Sequence, residues 1–177
     1  MNQQKWDECV KFHGHECPGL AIGFRASEIA MEKMGKQFSA DSDEKIVCVT
    51  ENDACGVDAV QALTGCTLGK GNLIYKPSGK MAFSFFDRST GENIRLVLKP
   101  GATKDMDREQ SKQFILTGPE EDIFWIKKPN YTVPENARLF GSVICEVCGE
   151  SVPEHKIRIQ EGKQVCLDCF NDYDNRW

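Results

Sequence analysis

The spacing of apolar residues predicts two helices at the start of the chain. In residues 3–12 the apolar side chains recur on one helical face, which indicates a short amphipathic helix. A glycine- and proline-containing elbow follows, and helical spacing resumes from Pro18 to about Gly35. Proline suits a first helical position, because its missing N–H would have no partner there, and glycine is a common residue at helix ends.

The pattern then changes from helical spacing to that of β-strands. Residues 45–51 are β-branched and apolar, which predicts a buried strand, and residues 57–64 predict a short helix. Three strand-like runs come next, separated by turns that contain glycine. We expect these runs to form an antiparallel meander. They are residues 72–76, 81–87 and 93–98.

After the strands, the pattern predicts one more helix and a connector. A polar amphipathic helix is expected at about 104–115. The run 121–127 is ambiguous between the end of a helix and a strand, because its large apolar residues are contiguous. Residues 131–136 are typical of an extended connector, so we place a domain boundary near residue 136.

Four cysteines follow that boundary in the pattern Cys145-x2-Cys148, seventeen residues, then Cys166-x2-Cys169. Two such pairs on two turns can converge tetrahedrally on one Zn²⁺, whereas chance pairs or redox dithiols are the alternatives. A hairpin is expected within residues 156–165, with a final helix opening at the second pair. A zinc ion held by four thiolates has no open coordination position, so chemistry has to be sought elsewhere.

These patterns together predict an α+β fold. Residues 1–136 should form a core of helices packed on a mainly antiparallel sheet, and residues 137–177 a small four-cysteine zinc finger. Cys9, Cys48 and Cys66 are expected to be small core residues.

The charge of the chain limits the classes of partner. The net charge is −5, and residues 138–177 carry five Lys/Arg against seven Asp/Glu, so a nucleic-acid-binding regulator is disfavoured. Nowhere does the sequence approach about 18 consecutive apolar residues, so no membrane association is expected. Because the first twelve residues lack the pattern of a secretory leader and several thiols are kept for metal, we expect a reducing cytoplasm.

A second metal site is predicted at the elbow. His13, His15 and Cys17 alternate with other residues, and an extended segment turns alternate side chains to one side. Cys55 begins the next helix as Cys17 begins the second, and imidazole and thiolate are ligands that zinc and other late transition metals prefer. The alternatives are buried structural cysteines with helix-capping histidines, or a redox-active pair formed by Cys17 and Cys55.

Two long motifs carry a family resemblance. Residues 12–25 (FHGHECPGLAIGFR) and 55–72 (CGVDAVQALTGCTLGKGN) resemble the FmdE family, which takes its name from formylmethanofuran dehydrogenase. The resemblance implies an α+β core, an auxiliary treble-clef zinc finger and a homodimer. Members occur beside a molybdenum or tungsten enzyme that interconverts CO₂ and formylmethanofuran, which implies a link to methanogenesis.

The resemblance also implies which residues form the core site. His15, Cys17 and Cys55 are the implied ligands of a second zinc or other transition metal, with His13 as a fourth ligand or its support. Arg25 and Asp58 are expected to line the same pocket, where Cys17, Asp58 and Arg25 would be the candidates for chemistry.

Simpler roles are open for these side chains and for the loop that follows. Arg25 can hold an anion through two hydrogen bonds, or form an ion pair on a helix face. Asp58 can orient a ligand histidine, or serve as an acid that is favourable in a first helical turn. The glycine-rich loop 68–72 can bind an anion, although a plain turn is favoured because it lacks the full phosphate-loop pattern.

The sequence therefore supports two functions, and it leaves open whether the protein is an enzyme. The first is a metalloprotein whose core pocket acts on a small one-carbon or acyl substrate and whose finger makes protein contacts. The second is a non-catalytic accessory or metal-delivery partner of a molybdenum or tungsten oxidoreductase, which would present exposed aromatic residues such as Phe170, Tyr173 and Trp177.

Overall fold

The computed structural model describes residues 1–36 and 44–172, which divide into two compact units. The first unit spans Met1–Ala137, and the second begins at Arg138. Within the described ranges, no helix combines the length and apolar composition needed to cross a bilayer. The helices of the first unit are α1 (Gln3–His13), α2 (Pro18–Lys33), α3 (Gly56–Thr64), α4 (Arg108–Thr117) and α5 (Glu120–Ile123).

The strands of the first unit form one sheet with the order β2-β1-β3-β4-β5. The pairs β1–β3, β3–β4 and β4–β5 are antiparallel, and the pair β1–β2 is parallel. The predicted core of helices on a mainly antiparallel sheet is therefore confirmed. The strands are β1 (Ile46–Thr50), β2 (Leu73–Tyr75), β3 (Ala82–Asp87), β4 (Asn93–Leu98) and β5 (Phe124–Lys127).

The predicted meander of three antiparallel strands is wrong at β2. This strand lies parallel to β1, with Cys48 opposite Leu73 and Thr50 opposite Tyr75. The connection explains the direction, because α3 lies between β1 and β2 and returns the chain to the same end of the sheet before β2 begins. β1 consequently lies between β2 and β3 and pairs antiparallel with β3.

Two boundaries differ from the predicted ones for local reasons. Helix α4 begins at Arg108 rather than near residue 104, because the Asp107 side chain accepts a hydrogen bond from the Gln110 N–H and the Gln110 side chain accepts one from the Asp107 N–H. The ambiguous run 121–127 contains both alternatives: α5 ends at Ile123 and β5 begins at Phe124.

Helix α2 is the centre of the core. It packs against α1, α3 and α4 and contacts β3 and β4, and its side chains Leu20, Phe24 and Ile29 are buried. Trp6 of α1 lies edge-on to Phe24, with ring centroids 5.3 Å apart. This packing fixes the end of α1 and the start of α2, between which the elbow lies. Cys9, Cys48 and Cys66 are fully buried, as expected of small core residues.

The second unit consists of two short hairpins joined by a 3₁₀ turn at Glu154–Lys156. The predicted hairpin is present as the pair β8–β9. The predicted final helix does not begin at the second cysteine pair, since 167–169 form a turn and 170–172 are irregular; Tyr173 and Trp177 lie outside the described residues. The strands are β6 (Ser142–Ile144), β7 (Ser151–Pro153), β8 (Ile157–Gln160) and β9 (Lys163–Cys166).

Candidate metal centres

The four cysteines of the second unit form one cluster. One ligand atom from each of Cys145, Cys148, Cys166 and Cys169 lies within 4.8 Å of the others. The sulfurs of Cys148 and Cys166 are 3.9 Å apart. In a tetrahedral site with zinc–sulfur bonds of about 2.3 Å, neighbouring sulfurs lie roughly 3.8 Å apart. The cluster therefore has the dimensions of a structural zinc site.

The backbone around these sulfurs favours thiolates. The N–H of Cys166 donates to Sγ of Cys145 at 3.3 Å, and bonds from the backbone of Cys148 and Cys166 lower the pKa of Cys145 to about 6. In contrast, the hydrogen bond with Cys166 and burial raise the pKa of Cys169 to about 12. Four thiolates cannot share this space without a cation, and Zn²⁺ supplies the missing positive charge.

A second cluster lies at the elbow between α1 and α2. Helix α1 ends at His13, and Gly14 caps it with a φ of 92°, a left-handed conformation suited to glycine. Cys17 caps α2: its backbone is extended and its sulfur accepts the N–H of Leu20 at 3.2 Å. The two caps fold the elbow so that ligand atoms of His13, His15 and Cys17 lie within 4.8 Å of one another.

Asp58 fixes the orientation of His13. Oδ2 of Asp58 lies 2.7 Å from Nδ1 of His13, so the ring N–H donates to the carboxylate. Nε2 of His13 then faces Sγ of Cys17 at 3.9 Å. A carboxylate on the far nitrogen of a histidine is the usual support of a metal-binding imidazole, because it sets the tautomer and the ring plane. His13 therefore presents the lone pair of Nε2 towards Cys17.

Cys55 reaches the same place from α3. A side-chain carbon placed on Gly19 would lie 3.5 Å from Sγ of Cys55 and 3.7 Å from Sγ of Cys17, so both sulfurs face one point. Burial raises the pKa of the Cys55 thiol, and the hydrogen bond and charge of Cys17 raise it further. As in the finger, two neighbouring sulfurs can both be thiolates only beside a cation.

Three glycines bring the two helix starts together. A side-chain carbon on Gly23 would lie 1.9 Å from the carbonyl oxygen of Gly56, and Gly19 is close enough for its own carbonyl to meet a Cβ on Gly56 at 3.0 Å. Helices α2 and α3 therefore touch backbone to backbone, which requires residues without side chains. The Gly19-x3-Gly23 spacing on one helical face is the sequence feature that could have predicted this contact.

A cleft of about 570 Å³ opens beside His13 and Cys55. Its volume falls within the range of small-molecule sites. Among the described residues that line it, acids are present but no lysine or arginine. We did not predict several of these residues, because only the pairing of β2 with β1 brings Tyr75 close to Asn52. The lining includes Asn52, Asp53, Asp58, Leu68, Leu73 and Tyr75.

Arg25 does not lie with the other predicted site residues. It pairs with Glu28 at 2.9 Å and borders a separate depression with Met1 and Lys5, so the expectation that it shares a pocket with Asp58 is wrong. The distance along α2 explains this, because eight residues at 1.5 Å rise place it about 12 Å from Cys17 along the helix axis.

The glycine-rich loop 68–72 is a plain turn. The N–H of Gly71 binds the carbonyl of Leu68, and the N–H of Lys70 binds the Thr67 side chain. The amide side chain of Asn72 closes the loop by accepting from the Thr67 N–H and donating to the Ile46 carbonyl. These internal bonds occupy the donors that an anion would need.

Two family models match the chain. The one described as FmdE, molybdenum formylmethanofuran dehydrogenase operon, matches residues 12–125. The one described as the prokaryotic dksA/traR C4-type zinc finger matches residues 138–175. The first match covers both long motifs of the core, and the second contains all four cysteines of the finger. A four-cysteine zinc finger is therefore confirmed.

Two related proteins extend these matches. A probable S-adenosyl-L-methionine-binding protein of Archaeoglobus fulgidus is 33% identical over 193 residues, which cover 92% of this chain but 51% of that protein. The chain thus spans about half the length of this relative. The crystal structure of an FmdE-like protein of tungsten formylmethanofuran dehydrogenase, from Syntrophus aciditrophicus, is similar with a TM-score of 0.66 and 24% identity, covering 94% of this chain and 90% of the other. This likeness supports the fold.

Proposed function

This chain belongs to the FmdE family of the molybdenum formylmethanofuran dehydrogenase operon, and from this premise we propose that its core binds a transition metal, zinc first among them. The ligands in this proposal are Nε2 of His13, a ring nitrogen of His15 and the sulfurs of Cys17 and Cys55. The hydrogen bond from His13 to Asp58 is the observation that carries the proposal. This "core metal centre" is separate from the zinc of the finger.

The adjoining cleft gives the core metal centre a means of meeting a small molecule. A bound ion with an exchangeable position would polarise a carbonyl or acidify water there. The chain's own residues would hold and orient the ligand: His13 and Cys55 line the cleft on the metal side, and Asn52 and Asp53 line it with polar groups. A small acyl or one-carbon compound fits this arrangement, and Asp58 stays engaged with His13.

We expect Asp58→Asn to weaken zinc binding at the core metal centre about 10- to 100-fold, the usual effect of changing a residue that supports a metal ligand. The finger should keep its zinc. Competition against a chromophoric chelator, with the four-thiolate site saturated, measures the change. Asp53→Asn is the matched control, because Asp53 lines the same cleft without bonding to His13. Equal zinc affinity in wild type and Asp58→Asn would contradict the role of the His13–Asp58 pair.

The finger is proposed to contribute protein contacts. Several of its aliphatic side chains are exposed, including one in each cysteine turn: Val147 is 60% and Leu167 is 44% exposed. Exposed apolar residues on an acidic module favour a protein partner over a nucleic acid. Components of a molybdenum or tungsten enzyme suit the family's operon context, and a homodimer, a cytoplasmic location and an accessory or metal-delivery role stay predictions.

A second candidate function is binding of S-adenosyl-L-methionine. The relative from Archaeoglobus fulgidus favours it, and so does the cleft, whose ionisable side chains among the described lining include two carboxylates and no lysine or arginine. A sulfonium cation would be attracted to such a site, and Tyr75 offers an aromatic face for it.

For this candidate we expect S-adenosyl-L-methionine to bind about tenfold more tightly than S-adenosyl-L-homocysteine, which lacks the positive charge. Calorimetric titration of the zinc-loaded chain measures both affinities. Asp53→Asn should reduce the preference, whereas Asp105→Asn, at an exposed acid in a distant loop, should leave it unchanged. Absence of binding by either compound at millimolar concentration would remove this candidate without affecting the metal proposal.

A further inference from the structure

The elbow has two residues that neither helix holds. His13 belongs to α1 and Cys17 caps α2, but His15 and Glu16 lie between these caps with exposed side chains. The ring of His15 contacts that of His13 at a centroid distance of 4.5 Å. A ligand on a short exposed segment needs something to fix its direction if it is to bind a metal tightly.

Lys112 of α4 reaches this segment from a distant part of the chain. Its ammonium lies 2.5 Å from a carboxylate oxygen of Glu16 and 2.9 Å from one of Glu109, and its side chain is 13% exposed. Helix α4 packs against α2 through buried residues that include Ser111 and Ile115. Lys112 is therefore anchored on the same helix pair that carries Cys17.

The position of Glu16 makes this contact relevant to the metal ligands. Side chains alternate in an extended segment, so a residue held towards one side turns its two neighbours to the other. The backbone of Cys17 is extended, with φ of −156° and ψ of 160°. Fixing Glu16 against α4 thus directs His15 and Cys17 together, away from α4 and towards His13.

We propose that Lys112 is a positioning residue of the core metal centre, which acts by holding Glu16 so that His15 presents its ring to the metal. This inference rests on the proposed core metal centre and adds to it a residue outside both family motifs. Lys112 touches neither metal nor substrate in this account, so its contribution is to the orientation of a ligand.

The test compares two ion pairs between separate elements. Lys112→Met should lower the zinc affinity of the core metal centre about tenfold, at the lower end of what indirect ligand support provides. Lys112→Arg should restore most of it, because the guanidinium can still reach a carboxylate. Lys33→Met is the matched control: Lys33 bonds Glu120 of α5 at 2.6 Å, also across two elements, but far in sequence from the elbow. Its zinc affinity should equal that of wild type.

The readout is the zinc dissociation constant of the full chain by chelator competition, well below the melting temperature, with thermal melting in parallel. A merely structural role would give Lys112→Met and Lys33→Met similar losses of melting temperature and the same affinity as wild type, which would overturn the inference. A wild-type chain that binds zinc only in the finger would overturn the core metal centre itself, and the inference with it.

Discussion

Removing zinc from the finger should unfold residues 138–172 while the first unit stays folded. The buried apolar core of the second unit consists of little more than Val165 and the sulfurs of Cys145 and Cys166. Units of about 40 residues rarely bury enough surface to fold without a metal or disulfides. All nine cysteines are free thiols, so the metal has to supply the stability. Apparent zinc-binding free energies in comparable modules are about 10–16 kcal/mol at pH 7.

Hydrogen exchange measures this effect segment by segment. After chelation, or in Cys166→Ser, amides of the β8–β9 pair should lose protection, while those of the buried strand β3 should keep it. Strand β3 is the internal control, since all six of its residues are buried in the first unit. Protection of β8–β9 that survives complete zinc removal would show that the finger folds without its metal.

Gly23→Ala should destabilise the first unit by about 3 kcal/mol, at the upper end of the usual cost of overpacking a core. The added carbon would lie 1.9 Å from the carbonyl oxygen of Gly56, and backbone cannot move aside as a flexible side chain can. Helices α2 and α3 would have to separate. Because Cys17 and Cys55 begin these helices, the separation should also weaken zinc binding at the core metal centre.

Denaturant unfolding and zinc titration check the two consequences together. Gly69→Ala is the matched control, because nothing lies within 4 Å of a carbon added there and its backbone is not left-handed. We expect it to behave as wild type. A Gly23→Ala protein that keeps the stability and zinc affinity of wild type would refute the close helix contact.

Features that depend on neighbouring residues in sequence were predictable. The cysteine spacing defined the finger, and Pro18 and the apolar spacing defined α2, because caps and amphipathic faces are local properties. The proximity of His13, His15 and Cys17 is of the same kind, since one elbow contains all three. Asp58 was predicted as a possible orienting acid from the resemblance of its motif, and its bond to His13 agrees with that role.

Features that depend on long-range pairing were not predictable in the same way. The direction of β2 follows from the crossover through α3, whereas the turn after residue 76 suggested a hairpin. The cleft needs that parallel pairing, so Tyr75 and Asn52 gave no sign of a common site. Arg25 shared a motif with the ligands, yet the rise of the helix carries it to another surface. Lys112 lies 96 residues from Glu16, beyond any local pattern.

The most direct test of the core metal centre is anomalous diffraction at the zinc edge from crystals of the full chain. We expect two peaks per chain, one among the four finger cysteines and one at about 2.1 Å from Nε2 of His13 and about 2.3 Å from Sγ of Cys17. Cys55 should lie within bonding distance of the second ion. A single peak, in the finger alone, from zinc-saturated protein would contradict the account.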